Sequence, residues 1–65
     1  MEIHIEVAKC IGAYAFKNGL GAWPQRDWGF VNWLCAVGVY DGLVENFPED
    51  FRVAYVQGYR AAEKA

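Results

Sequence analysis

Trp28-Gly-Phe-Val-Asn-Trp-Leu-Cys-Ala-Val-Gly-Val-Tyr40 is apolar nearly all the way round, with Asn32 its only strongly polar side chain. Placed on a helix, it carries two stripes. Val31, Leu34, Cys35 and Gly38 follow i, i+3, i+4, i+7 spacing, while Phe30, Trp33, Val37 and Tyr40 form a second stripe rotated by about a third of a turn. An ordinary surface helix shows one apolar stripe somewhat over ~100° wide. This segment is expected to be a helix over residues 28–40, central to the fold, with its first stripe turned inward. The second stripe is left to pack on the remaining helix or on a second chain.

The flanks punctuate that helix. Asp27 suits its N-cap. Asn18-Gly19-Leu20 and Asp41-Gly42-Leu43 repeat one signal, a glycine able to take the left-handed conformation followed by an apolar residue that folds back on the last turn. Helices are therefore expected to end near Asn18 and Asp41. Pro48 suits the start of a third helix, and Glu49 and Asp50 complement the positive end of its dipole.

That third helix, over residues 48–63, is the clearest of the set. Phe51, Ala54, Tyr55, Gly58, Tyr59 and Ala62 share a face, opposite Gln57, Arg60 and Lys64. The first segment is ambiguous. Met1, Ile3, Ile5 and Val7 alternate with Glu2, His4 and Glu6 as a strand would. Ile3, Val7, Cys10, Ile11 and Tyr14 also make a continuous helical stripe, and a lone strand has no partner with which to build a sheet. Helix over residues 3–18 is the expectation. Gly12, Gly38 and Gly58 fall inside the three helices, where glycine costs about 1 kcal/mol relative to alanine; each implies a close approach of backbones or an aromatic ring over the gap. The fold class is thus all-α, a single small three-helix domain over residues 1–65.

Composition bounds the function. At 65 residues, 55% hydrophobic and 17% aromatic, the chain is too apolar for a disordered segment. A core this small rarely supplies more than ~3–5 kcal/mol, so association or a staple is common. No secretory leader is recognisable, so Cys10 and Cys35 are expected to be reduced and buried and the protein cytoplasmic. The longest apolar run is short of the ~20 residues that a membrane-spanning helix needs.

Net charge is −2 with an isoelectric point near 5.1. The six bases are scattered, whereas nucleic-acid binding leaves a basic stripe, and nucleic acid is accordingly disfavoured as a partner. The chain contains neither serine nor threonine and has a single histidine, His4. No hydroxyl-nucleophile triad can be assembled, and His4 is expected to be an exposed residue near the terminus. The cysteine and histidine spacings match no zinc pattern, and residues 41–50 lack the alternating oxygen ligands of a calcium loop. No catalytic residue, metal or cofactor is expected.

What remains is association. Trp28 and Trp33 are five residues apart and point to different sides of the helix, so one is expected in the core and the other nearer the surface. Tryptophan, tyrosine and arginine are enriched where interfaces concentrate their binding energy. The candidate interface is Trp23, Arg26, Trp28, Phe30, Trp33, Val37 and Tyr40. The acids Asp41, Glu45, Glu49 and Asp50, in a stretch from Arg26 to Arg52 with no base inside it, are candidates for steering a basic partner. The expected function is a non-enzymatic protein-interaction module, homodimeric through the surplus face of the second helix or bound to an unidentified protein.

Ala54-Tyr-Val-Gln-Gly-Tyr-Arg-Ala61 resembles the Gly-Tyr helical signature of ribosome modulation factor and its small helical relatives, over one or two turns. That group's strongly basic balance and second Gly-Trp segment are missing, so no residue role is carried across. No function is carried across either, and a nucleic-acid- or ribosome-associated regulatory protein stands as the alternative function. In its short, acidic, aromatic-rich character the chain is also similar to small phage and prophage proteins that bind and modulate a host protein.

Overall fold

Helix α1 spans Glu2–Lys17, so the alternating start of the chain is helix. The computed structural model describes residues 2–65, with side chains from Ile3 onward; Met1, first in the alternating pattern, lies outside the described residues. Helix α2 spans Trp28–Ala36 and α3 spans Glu49–Lys64, with 3-10 turns at Pro24–Arg26 and Val44–Asn46. The described residues form an all-α domain with no strand.

Two glycines set the helix ends. At Gly19 (φ +74°) the chain turns left-handed. Its N–H donates to the Phe16 carbonyl at 3.1 Å, and the Leu20 N–H donates to the Ala15 carbonyl at 3.0 Å. This pair of bonds satisfies carbonyls that the end of a helix leaves unpaired. The same device closes α2, but at Gly38 rather than near Asp41. Gly38 has φ +82°, and the N–H groups of Gly38 and Val39 donate to Cys35 and Leu34, each at 3.1 Å. The second helix thus stops at Ala36, about a turn short of the expected residue 40, and Gly38 is its terminator rather than an interior gap.

Asp41-Gly42 instead builds a tight turn. The Asp41 carboxylate accepts from the Leu43 N–H at 2.9 Å and from Asn46 Nδ2 at 2.7 Å. Those two bonds, the backbone one first, hold the Asp41 carboxyl below its ordinary pKa. We expect Gly38→Ala to lower the urea midpoint, because an L-residue held left-handed costs roughly 1–2 kcal/mol where alanine elsewhere in a helix would help. An unchanged midpoint would mean that the terminator tolerates a β-carbon.

The most intimate pair is α1 with α3, which meet backbone to backbone at Gly12 and Gly58. A β-carbon at Gly12 would stand on the Tyr55 carbonyl, 2.8 Å from its carbon, and one at Gly58 would stand 2.6 Å from the Lys9 carbonyl carbon. The close approach expected of Gly12 and Gly58 is therefore real and reciprocal. Trp33 joins the N-terminal turns of both helices, 5.9 Å from the His4 ring and 6.1 Å from Phe51. Phe16 meets Tyr59 edge-on at 5.4 Å nearer their other ends. The two long helices therefore run in the same sense, with α2 returning between them.

The core is small on one side and aromatic on the other. Ala8 and Ala15 of α1 are buried against Phe30 and Leu34 of α2 and Phe51, Ala54 and Tyr55 of α3. Phe30 is its centre, 4.7 Å from the Tyr55 ring, 6.1 Å from Trp33 and 6.3 Å from Phe47. Because α3 approaches so closely, α1 turns its smallest side inward, through Ala8, Gly12 and Ala15. The larger stripe read from the sequence is rotated away: Ile3, Cys10 and Tyr14 are exposed, while Val7 and Ile11 are half-buried.

Candidate protein-interaction site

The segment joining α1 to α2 is short, aromatic and pinned at both ends to α3. The Tyr59 hydroxyl donates to the Leu20 carbonyl at 2.8 Å. At the far end, Asp27 does two jobs with its two oxygens. Oδ1 accepts the Phe30 N–H at 3.1 Å and caps α2, as its sequence position predicted, and Oδ2 accepts the Tyr55 hydroxyl at 2.8 Å. Burial, and after it the hydrogen bond to Asp27, pushes the Tyr55 phenol far above its usual range. Between the anchors, Pro24 is buried and opens the 3-10 turn, where a fixed φ and a missing N–H cost least.

This fixed loop holds apolar side chains in solvent. Trp23 is 65% exposed and Trp28, the first residue of α2, is 71% exposed. Leu20 and Arg26 beside them are also exposed. The Trp23 ring lies over Gly21, where a β-carbon would come within 2.6 Å of its Cδ1. Leu20, Gly21, Trp23, Arg26, Asp27 and Tyr55 surround a shallow concavity of about 150 Å³. Large aromatic rings presented on an anchored backbone, next to an arginine and a dent, are the arrangement from which interface anchors are made, because little conformational entropy is left to lose on binding.

The remaining interface candidates divide differently. Phe30 is fully buried and not available to a partner, while Trp33 is half-buried and packs against the core. Val37 is half-buried beyond the end of α2, and Tyr40 packs edge-on against Phe47 at 5.0 Å. The second stripe of α2 thus packs in large part within the chain, one of the two roles open to it, with Phe30 buried and Trp33, Val37 and Tyr40 half-buried. Of the supposed inward stripe, only Leu34 is buried; Val31 is half-buried and Cys35 is exposed. Trp28 and Trp33 do split between surface and core, with Trp28 outside.

Cys10 and Cys35 are free and exposed, contrary to the expectation that both are buried: each sits on the helix side that the core leaves out. His4 is half-buried against Trp33 rather than exposed, and its Nδ1 is buried without a hydrogen-bond partner among the described residues. Asp41, Glu45, Glu49 and Asp50 are all exposed. Glu49 pairs with Arg52, whose hydrogen bond holds its carboxyl below the ordinary value; Glu45 and Asp50 make no ion pair among the described residues.

Sequence reading missed Leu20, Leu43 and Val44 as surface apolar residues and Tyr55 as the partner of Asp27. Two hydroxyls, those of Tyr55 and Tyr59, on the otherwise apolar face of α3 were the available signal for the last. No three metal-ligating side chains converge among the described residues, and no described helix is long and apolar enough to cross a membrane. Compared with protein-family models, characterised proteins and solved structures, the chain matches none.

Proposed function

We propose that this is a non-enzymatic protein-interaction module whose binding surface is Trp23, Arg26 and Trp28, with Leu20 at its edge. The observation that carries this reading is the exposure of Trp23 and Trp28 on a loop whose backbone is tied to α3 through Tyr59 and Asp27. A chain this short leaves two of its three tryptophans in water, although each ring is among the largest apolar surfaces available to a core. Buried aromatic anchors dominate the energy of typical interfaces, and Arg26 adds a donor fork that pairs with carboxylates or stacks on rings.

The partner is a protein, either a second copy of this chain or another protein of the host, as in the phage-type reading. Self-association is drawn to Trp23 and Trp28 rather than to Phe30, which is fully buried, or to Trp33, Val37 and Tyr40, which are half-buried. The acids from Asp41 to Asp50 favour a partner with a basic surface.

Trp23→Ala and Trp28→Ala are each expected to leave the thermal midpoint nearly unchanged and to weaken partner binding by ~2 kcal/mol or more, as anchor residues do. The measurement is affinity capture from the native host, with mass determination of the intact complex, using both variants as controls. A complex retained equally by the wild-type and variant chains would remove these tryptophans from the interface. Loss of folding in both variants would return them to a structural role.

A further inference from the structure

On the side of α1 and α3 away from α2, the close glycine contact leaves a shallow groove of about 670 Å³. Its floor is built from Ala13 and Phe16 of α1 and Gly58, Ala61 and Ala62 of α3. The floor is low because the two backbones touch at Gly12 and Gly58, so that no large side chain fits between the helices. Its rims are basic. Lys9 and Lys17 stand on the α1 side, and Arg60 and Lys64 continue along α3 into an adjoining surface that shares Gln57 and Ala61 with the groove. Lys9 pairs with Glu6 and Arg60 with Glu63, whereas Lys17 and Lys64 make no ion pair among the described residues.

The complement of this groove is carried elsewhere on the same chain. In the 3-10 turn after α2, Leu43 is 53% exposed and Val44 is 81% exposed. The turn is held in shape by the Asp41 carboxylate, so these two side chains are presented rather than loosely tethered. Glu45 and Asp50, both exposed, flank them with negative charge that no described residue pairs. The chain therefore holds one exposed apolar turn edged by free acids, and one apolar depression with a free base, Lys17, on its rim and a second, Lys64, on the surface beside it.

We propose that copies of this chain associate by seating the Asp41–Asp50 segment of one in the α1–α3 groove of another, with Leu43 and Val44 on the alanine floor and Glu45 and Asp50 against Lys17 and Lys64. The inference goes beyond the function above: it concerns a second pair of surfaces, separate from Trp23 and Trp28, and takes the basic partner of these acids to be a second copy. The contact joins unlike surfaces, so a reciprocal pair of contacts closes a dimer and a one-way contact extends into a chain or ring.

The test is a charge swap. One variant carries Lys17→Glu and Lys64→Glu, the other Glu45→Lys and Asp50→Lys. All four positions are exposed, and circular dichroism verifies that both variants stay folded. In sedimentation at low salt, the wild-type chain is expected to self-associate and to dissociate as salt screens the pairs. Each variant alone is expected to self-associate at least ~100-fold more weakly, since like charges then face each other. Mixing the two variants is expected to restore association, because each groove again meets a segment of opposite charge. A wild-type chain that is monomeric at high micromolar concentration, variants that associate as the wild type does, or a mixture that fails to recover would overturn the proposal. Binding of an acidic peptide or a polyanion in the groove without self-association would overturn it as well. The Trp23 and Trp28 variants leave both contact surfaces intact, so loss of partner capture in them is read separately from this result.

Discussion

Gly58→Ala is expected to destabilise the protein by about 2 kcal/mol or more, although the same change in an ordinary helix interior gains up to ~1 kcal/mol. The sign is decided by what the new methyl meets. It would lie 2.6 Å from the carbonyl carbon and 2.8 Å from the Cα of Lys9, which are backbone atoms of a long helix and not the end of a side chain that can swing aside. Overpacking of this kind costs typically ~1–3 kcal/mol, and relief requires α1 and α3 to separate along their whole contact. Gly12→Ala meets the Tyr55 backbone in the same way.

Against a margin of roughly 3–5 kcal/mol for a core of this size, the double variant is expected to be unfolded at room temperature. Gly29→Ala is the internal control: its nearest neighbour outside the local backbone is Asp27 Oδ1 at 3.5 Å, so alanine is expected to raise the melting temperature slightly. Thermal and urea melts of the three single variants decide the matter. Equal gains at all three positions would mean that the helices do not meet at their glycines.

Asp27→Ala is expected to cost about 2–4 kcal/mol. Loss of the α2 cap accounts for ~1 kcal/mol. The Tyr55 hydroxyl, on a fully buried residue, then loses its acceptor, a further ~1–3 kcal/mol. Tyr55→Phe is expected to be milder, since the half-buried Asp27 carboxylate can turn its freed oxygen to water.

Tyr55→Phe is also distinguished from the wild type by pH. An unfolded tyrosine ionises near pH 10, whereas Tyr55 in the fold is held neutral well beyond that by burial and by Asp27. Above pH ~10 the unfolded chain binds fewer protons than the folded one, so the contribution of Tyr55 is fully present below that pH and is lost as pH rises through and above it. Urea midpoints taken from neutral to strongly alkaline pH are expected to fall more steeply for the wild type than for Tyr55→Phe. Parallel curves would show that the phenol ionises alike in both states.

Legibility followed the range of the physical signal. The cap at Asp27, the turn at Gly19-Leu20 and the dipole-matched start at Glu49 and Asp50 are local, and each could be read from neighbouring residues. The terminator at Gly38 was equally local but competed with a second Gly-apolar signal at Gly42-Leu43; the nearer one ended the helix because it came first and could be satisfied by Cys35 and Leu34. Of the interface residues, Trp23, Arg26 and Trp28 lie where a partner can reach them, while Phe30 and Trp33 were drawn inward by rings on other elements: Tyr55, Phe47 and Phe51.

By itself, the sequence of this protein determined three helices, the N-cap of the second, its apolar excess and two of the three expected close contacts at glycine, Gly12 and Gly58 but not Gly38, since caps, periodicity and glycine costs act within a few residues. Tertiary structure alone decided which apolar stripe is core and which surface is left over. That choice depends on how closely α1 and α3 approach. Once their backbones met at two glycines, the small side of α1 had to face inward, Phe30 and Leu34 filled the space above it, and Ile3, Tyr14, Trp23 and Trp28 were left facing water.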